Sequence, residues 1–194
     1  MKKAAFLDRD GVINRKPPEG QYVTRWEQMD FFPAACNAVC MLNRAGFLVI
    51  VVTNQRCVAQ GFLTTEEMDF IHARMCREFG AVGATIHAVY YCSHEIQPPC
   101  SCRKPQPGML LHAAQKHGVD LAASWMIGDS QSDVEAGRAA GCKTARVIGD
   151  NKFTDCAADV VASSLFDATC KILQITPGLL QYPPHMRAVK KRCL

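Results

Sequence analysis

The segment Phe6-Leu7-Asp8-Arg9-Asp10-Gly11 runs directly from apolar residues into two carboxylates two positions apart. On an extended chain such a pair points to one side, and Gly11 lets the backbone turn away at once. Two surface aspartates in a turn would also fit the letters, but they would not follow straight on an apolar run. A second apolar run ends in Val52-Thr53-Asn54-Gln55. Its hydroxyl and amide can hydrogen-bond a phosphate, although alone the segment also fits an ordinary polar strand end. Cys102-Arg103-Lys104-Pro105 offers a lysine able to neutralise phosphate charge, which by itself means little because most lysines are solvated. Met126-Ile127-Gly128-Asp129-Ser130-Gln131-Ser132-Asp133 places two carboxylates one helical turn apart, so both can face one place. A helix N-terminus favouring aspartate through its dipole would explain Asp133 equally well.

A different chemistry is written at Cys92, His94, Cys100 and Cys102, in the order Cys-x-His-x5-Cys-x-Cys. Three thiolates and an imidazole form a closed tetrahedral set, the composition of a structural zinc site with no position left for water. The other eight of the eleven cysteines are scattered, and an odd total without a secretory leader argues against a disulfide framework. They read as small hydrophobes or surface thiols. His72, His87, His112, His117 and His185 have no comparable neighbours and read as core or surface histidines.

The elements that must position these groups alternate. Strands are expected at 4–7, 47–53, 86–92, 124–128, 144–148 and 158–161. The second (FLVIVVT) is apolar on both faces, as a buried parallel strand should be. Helices are expected from Pro33 to about 45, from the capped start at Thr64-Thr65-Glu66-Glu67 to about 79, from Pro107 to Gly118, over 130–140, and over 163–175. Alternation of this kind implies an α/β fold with a doubly wound parallel sheet, whose ligands sit at the carboxyl ends of the strands. The acids, hydroxyl, amide and lysine then share one crevice. The expected organisation is one domain over 1–176, with the zinc loop at 92–102, and a basic tail over 177–194 carrying Arg187, Lys190, Lys191 and Arg192.

The order DxD, TN, K, GDxxxD over about residues 4–150 resembles the haloacid-dehalogenase (HAD) superfamily of Rossmann-like phosphatases. The resemblance implies Mg2+ held by Asp8, the backbone carbonyl of Asp10, and Asp129. Asp8 would be the nucleophile that forms an aspartyl-phosphate. Asp10 would be the general acid and then base, Thr53 and Lys104 would stabilise the equatorial oxygens, and Asp133 would orient the metal shell or Lys104. The intervals between motifs leave no room for a cap domain, so the zinc loop would shape the mouth of an open site.

Capless members with such a loop resemble two groups, the D-glycero-D-manno-heptose-1,7-bisphosphate 7-phosphatases and the histidinol-phosphate phosphatases. Gly20 and Tyr22 in Gly20-Gln21-Tyr22-Val23, the run Thr53-Asn54-Gln55, and Cys102-Arg103-Lys104-Pro105 resemble the heptose group, where Arg103 would recognise the sugar phosphate. Arg56 stands where a small residue is usual, and would either add a second cation for a bisphosphate or be solvated. The five-residue gap between His94 and Cys100 looks more like the histidinol group, and Ser130 replaces a lysine found in some heptose phosphatases. The heptose reading is favoured. A catalytically inactive metal-bound binding protein is the reading of another class, but it would not need both Asp8 and Asp10.

Composition narrows the partners. A net charge of +4 and a pI near 8.5 suit an enzyme with a phosphorylated small substrate. Aromatic and basic residues do not interleave as on a single-strand-binding surface, so no nucleic acid is expected. No apolar run is long enough to cross a bilayer, and the apolar start stops at Asp8, too soon for a signal peptide. A cytoplasmic protein is therefore expected.

Overall fold

The computed structural model describes residues 1–149 and 157–176. The basic tail expected over 177–194 lies outside the described residues. Six parallel strands form one sheet in the order β3-β2-β1-β4-β5-β6. They are β1 (Lys3–Leu7), β2 (Phe47–Asn54), β3 (Ala88–Cys92), β4 (Trp125–Gly128), β5 (Lys143–Val147) and β6 (Val160–Ala162). The chain moves outward from β1 through β2 to β3, then returns to the other side of β1 with β4. That reversal leaves a crevice at the carboxyl ends of β1 and β4, where ligands of such sheets bind.

The helices are α1 (Ala35–Arg44), α2 (Thr65–Gly80), α3 (Gly108–His117), α4 (Gln131–Ala139) and α5 (Leu165–Leu173). Their ends follow local chemistry. Thr64 Oγ1 accepts from Glu67 N at 3.2 Å while Glu67 Oε2 accepts from Thr64 N at 2.7 Å, the reciprocal cap expected from those letters. Gly118 closes α3 in the left-handed region, at φ +66°. Element bounds match the sequence expectation to within about two residues. A short 3-10 turn at Trp26–Gln28 was not expected, having no apolar period of its own.

Alternate strand side chains feed two cores. Ala5, Leu7, Val49, Val51, Ile127 and Val147 face α1 and α5 on one side, with Met75 and Phe79 of α2. Ala4, Phe6, Ile50, Val52 and Met126 face α3 and α4 on the other. The sheet is thus covered on both sides, which is why the central strand β2 is apolar on both faces from Phe47 to Val52. Cys36, Cys40, Cys57, Cys142 and Cys170 are buried and unbridged, and pack as small hydrophobes.

The approach of α4 to the sheet is set by Gly137. A Cβ there would stand 2.6 Å from Met126 Cβ and 2.8 Å from Thr144 Cγ2. At Gly80, in the last turn of α2, a Cβ would meet nothing within 4 Å. Gly137→Ala is expected to lower stability by about 1–3 kcal/mol. Gly80→Ala should be neutral or gain up to about 1 kcal/mol. Urea denaturation of the two variants tests this, and equal midpoints would contradict the close packing of α4.

Candidate active site

Strand register brings the expected groups together. Leu7 pairs with both Val51 and Ile127, so Asp8, Thr53 and Asp129 follow at one edge of the sheet. They line a cavity of about 330 Å³ with Asp10, Asn54, Lys104 and Asp133. Gly20 and Tyr22 line it from the long loop after β1.

Lys104 stands at the centre of the floor. Its Nζ lies 2.9 Å from Asp8 Oδ1 and 2.6 Å from Asp133 Oδ1, and donates to Val52 O at 2.8 Å. It is 4% exposed. Burial disfavours the ammonium, but Asp133 and Asp8 outweigh it and hold Lys104 above its ordinary range. Burial pushes Asp8 the other way, up to about 7, against the pull of Lys104. Asp133 is also buried, yet Lys104 keeps it below the usual carboxylate range. Asn54 holds the lysine segment in place: its Nδ2 donates to Lys104 O at 3.0 Å, and its Oδ1 accepts from Lys104 N at 3.1 Å. Asn54 therefore positions Lys104 through its backbone.

Three carboxylates, Asp8, Asp129 and Asp133, offer oxygens within 4.8 Å of one another, a set of hard donors suited to Mg2+. Asp129 Oδ1 is buried and has no hydrogen-bond partner among the described residues, which fits a cation at that place. Asp133 is less free. Its Oδ2 accepts from Ser130 N at 3.0 Å and from Ser130 Oγ at 2.6 Å, while its Oδ1 faces Lys104. Asp133 thus meets Ser130 with one oxygen and Lys104 with the other.

Asp10 reaches the cavity by a turn, not along a straight strand, because Arg9 O accepts from Ile13 N and Asn14 N. The Arg9 side chain is completely buried and forks onto Asp10, Nε to Oδ1 at 3.1 Å and Nη2 to Oδ2 at 2.7 Å. Asn14 and Gln55 also donate to Asp10. Burial would raise the Asp10 pKa, but the guanidinium and these donors lower it. Behind Arg9 lie Met68 Sδ, at 3.5 Å, and His72 Nε2, at 3.1 Å. Burial and Arg9 push His72 down to about 3, so it is neutral.

Three residues expected to touch substrate do not line the cavity. Gln55 is 1% exposed, and its amide serves Asp10, Arg9 and Thr53. Arg56 Nε pairs with Glu95 at 2.6 Å, on the zinc loop. Arg103 Nη1 donates to His94 O at 3.3 Å. Each was read from the letters beside a motif, and each found a nearer partner. Conversely, Arg9, His72 and Lys16 were not among the expected site residues. His72 carried a signal, as a polar side chain on the buried face of α2 with Met68, Ile71 and Met75. Lys16 carried none.

The zinc candidates come together as expected. Cys92 Sγ lies 3.6 Å from both Cys100 Sγ and His94 Nδ1, Cys102 Sγ lies 3.5 Å from Cys100 Sγ, and His94 Nδ1 lies 3.2 Å from Cys102 Sγ. A tetrahedron with Zn–S bonds of about 2.3 Å has S···S edges of about 3.8 Å, so the cluster is close to the size that zinc requires.

Comparison with known proteins places this arrangement. A HAD-hydrolase-like family model matches residues 101–165. A D-glycero-beta-D-manno-heptose-1,7-bisphosphate 7-phosphatase of Rhodopseudomonas palustris is 40% identical over 157 residues, 77% of this chain and 86% of that protein. The protein of that name from Escherichia coli K12 is 35% identical over 175 residues, 84% of this chain and 90% of that one. A crystal structure of D,D-heptose 1,7-bisphosphate phosphatase from B. bronchiseptica, complexed with magnesium and phosphate, superposes with a TM-score of 0.78 at 30% identity. The match covers 90% of this chain and 99% of that one.

The buried fork from Arg9 predicts a large stability effect. Arg9→Met leaves the Asp10 carboxylate without its counter-charge and is expected to cost about 3 kcal/mol or more in urea denaturation. Arg9→Lys should recover only part, because an ammonium cannot reproduce the two-pronged contact. Full recovery by lysine would show that charge alone matters there.

Proposed function

The chain belongs to the D-glycero-beta-D-manno-heptose-1,7-bisphosphate 7-phosphatase family of HAD-like hydrolases, and we propose that it removes the 7-phosphate of that heptose bisphosphate. The observation that carries the chemistry is the Asp8 carboxylate at the cavity floor, 2.9 Å from the Lys104 ammonium and beside Asp129. Asp8 attacks phosphorus and forms an aspartyl-phosphate as the sugar alkoxide leaves. Asp10 donates a proton to that alkoxide and then takes one from the water that attacks the phosphoenzyme. Arg9 favours the carboxylate form of Asp10, the form the second step uses. Lys104 and Thr53 meet the charge on the equatorial oxygens. Asp8, the Asp10 carbonyl and Asp129 are the proposed holders of Mg2+, which when bound supplies positive charge that offsets repulsion between Asp8 and the phosphate. Gly20, Tyr22 and Asn54 line the path of the sugar, and Arg56 and Arg103 reach it only by leaving their present partners.

Cys92, His94, Cys100 and Cys102 hold structural zinc in this reading. Unbridged thiols suit a reducing compartment, so we place the protein in the cytoplasm. Among the described residues no helix is long and apolar enough to cross a membrane.

Phosphate release is measured with Mg2+ on D-glycero-D-manno-heptose 1,7-bisphosphate, histidinol phosphate and other sugar bisphosphates. A kcat/KM at least a hundredfold higher for the heptose bisphosphate is expected, and preference for histidinol phosphate would overturn the substrate. Asp8→Asn should abolish turnover; equal release from the variant would remove the enzymatic reading altogether. Zinc removal, with Mg2+ resupplied, should lower Tm by several degrees while the protein still folded keeps kcat within about twofold. Zinc-free protein with an unchanged Tm would show that the loop folds without metal.

A further inference from the structure

Lys16 has no place in the mechanism above, yet its side chain lines the same cavity. It comes from the loop after β1, and its Nζ lies 2.9 Å from Asp129 Oδ2. The other oxygen of that carboxylate, Oδ1, is the buried one without a partner. One carboxylate therefore offers one oxygen to an ammonium and the other to a divalent cation. The Lys16 side chain is 58% exposed, so it is held at one end only and can follow a ligand.

The charges on the floor give this contact a consequence. Asp8, Asp129 and Asp133 carry three negative charges, and Lys104, buried between two of them, offsets one. A divalent cation offsets the remaining two. The floor so loaded is neutral, although it must accept a phosphate dianion. Arg9 is fully engaged with Asp10, and Arg56 and Arg103 do not line the cavity. Lys16 is thus the one cation besides Lys104 among the described lining residues. Glu19, also on the lining, stands exposed at the rim.

We propose that Lys16 is a phosphate-binding residue that works against the metal: it shares Asp129 with the cation, weakens the cation's hold, and adds the positive charge that draws phosphate in. Removing a like charge beside a cation strengthens its binding, whereas removing an opposite charge beside an anion weakens it. The two effects of one substitution therefore have opposite signs, which loss of structure cannot produce. The inference rests on the reading of this cavity as a cation-loaded phosphate site.

The test uses the full chain with Mn2+ as a spectroscopic probe and inorganic phosphate as the anion. Mn2+ binding is followed by electron paramagnetic resonance, and phosphate binding by calorimetry at saturating Mn2+. In Lys16→Met the Mn2+ Kd is expected to fall at least threefold and the phosphate Kd to rise at least tenfold. Lys16→Arg should keep both within threefold of the wild type. Unchanged affinities in Lys16→Met, or a joint weakening of both, would overturn the role of Lys16 while leaving the phosphatase reading intact. A wild-type protein that binds Mn2+ but no phosphate would overturn both.

Discussion

The active-site floor depends on one buried ammonium. Lys104 sits between Asp8 and Asp133 and donates to the carbonyl of Val52, so it ties together the end of β1, the first turn of α4 and β2. Two carboxylates brought this close in a buried place would repel, and burial alone would push both toward the neutral form. The lysine removes that conflict for Asp133 and limits it for Asp8. Because all three partners are desolvated, removing Lys104 would leave two buried carboxylates without their cation, a penalty of about 3–5 kcal/mol. The same contacts that hold the floor together thus make Asp8, the proposed nucleophile, and Lys104 neighbours.

Several features converge on the position of that lysine. Asn54 clamps its backbone from β2. Cys102 precedes it by two residues and draws the chain into the cysteine–histidine cluster. Gly108, at the start of α3, lies so close to Ser101 that a Cβ would meet Ser101 O at 2.2 Å. The cysteine–histidine loop is therefore an anchor for the lysine segment. The pair Arg56–Glu95 ties the same loop to the turn after β2.

A second buried cation organises Asp10, the proposed acid–base residue. Arg9 lies between the two aspartates in sequence, but its side chain turns into the protein behind them. There it meets Asp10, Gln55 and a neutral His72. The guanidinium's fork fixes both oxygens of Asp10 at once. Asp8 and Asp10 are thus held by different cations on different sides, which gives two carboxylates two residues apart different surroundings.

The sequence by itself determined the elements and most of the groups gathered in the cavity. Strand and helix periods, the Thr64–Glu67 cap and the glycine stops are local, and local chemistry decided them. Asp8 and Asp129 were legible because each follows an apolar run, and parallel strands bring such ends to one edge; Lys104 was legible only through its place in the order of motifs. The four zinc candidates were legible because they lie within eleven consecutive residues. Only the tertiary structure decided which charge meets which. Arg103 turned to His94, Arg56 to Glu95, Gln55 to Asp10, and Lys16 to Asp129 across more than a hundred residues. A long charged side chain takes the nearest opposite partner in space, and that distance is fixed by strand order and loop path, which no spacing along the chain records.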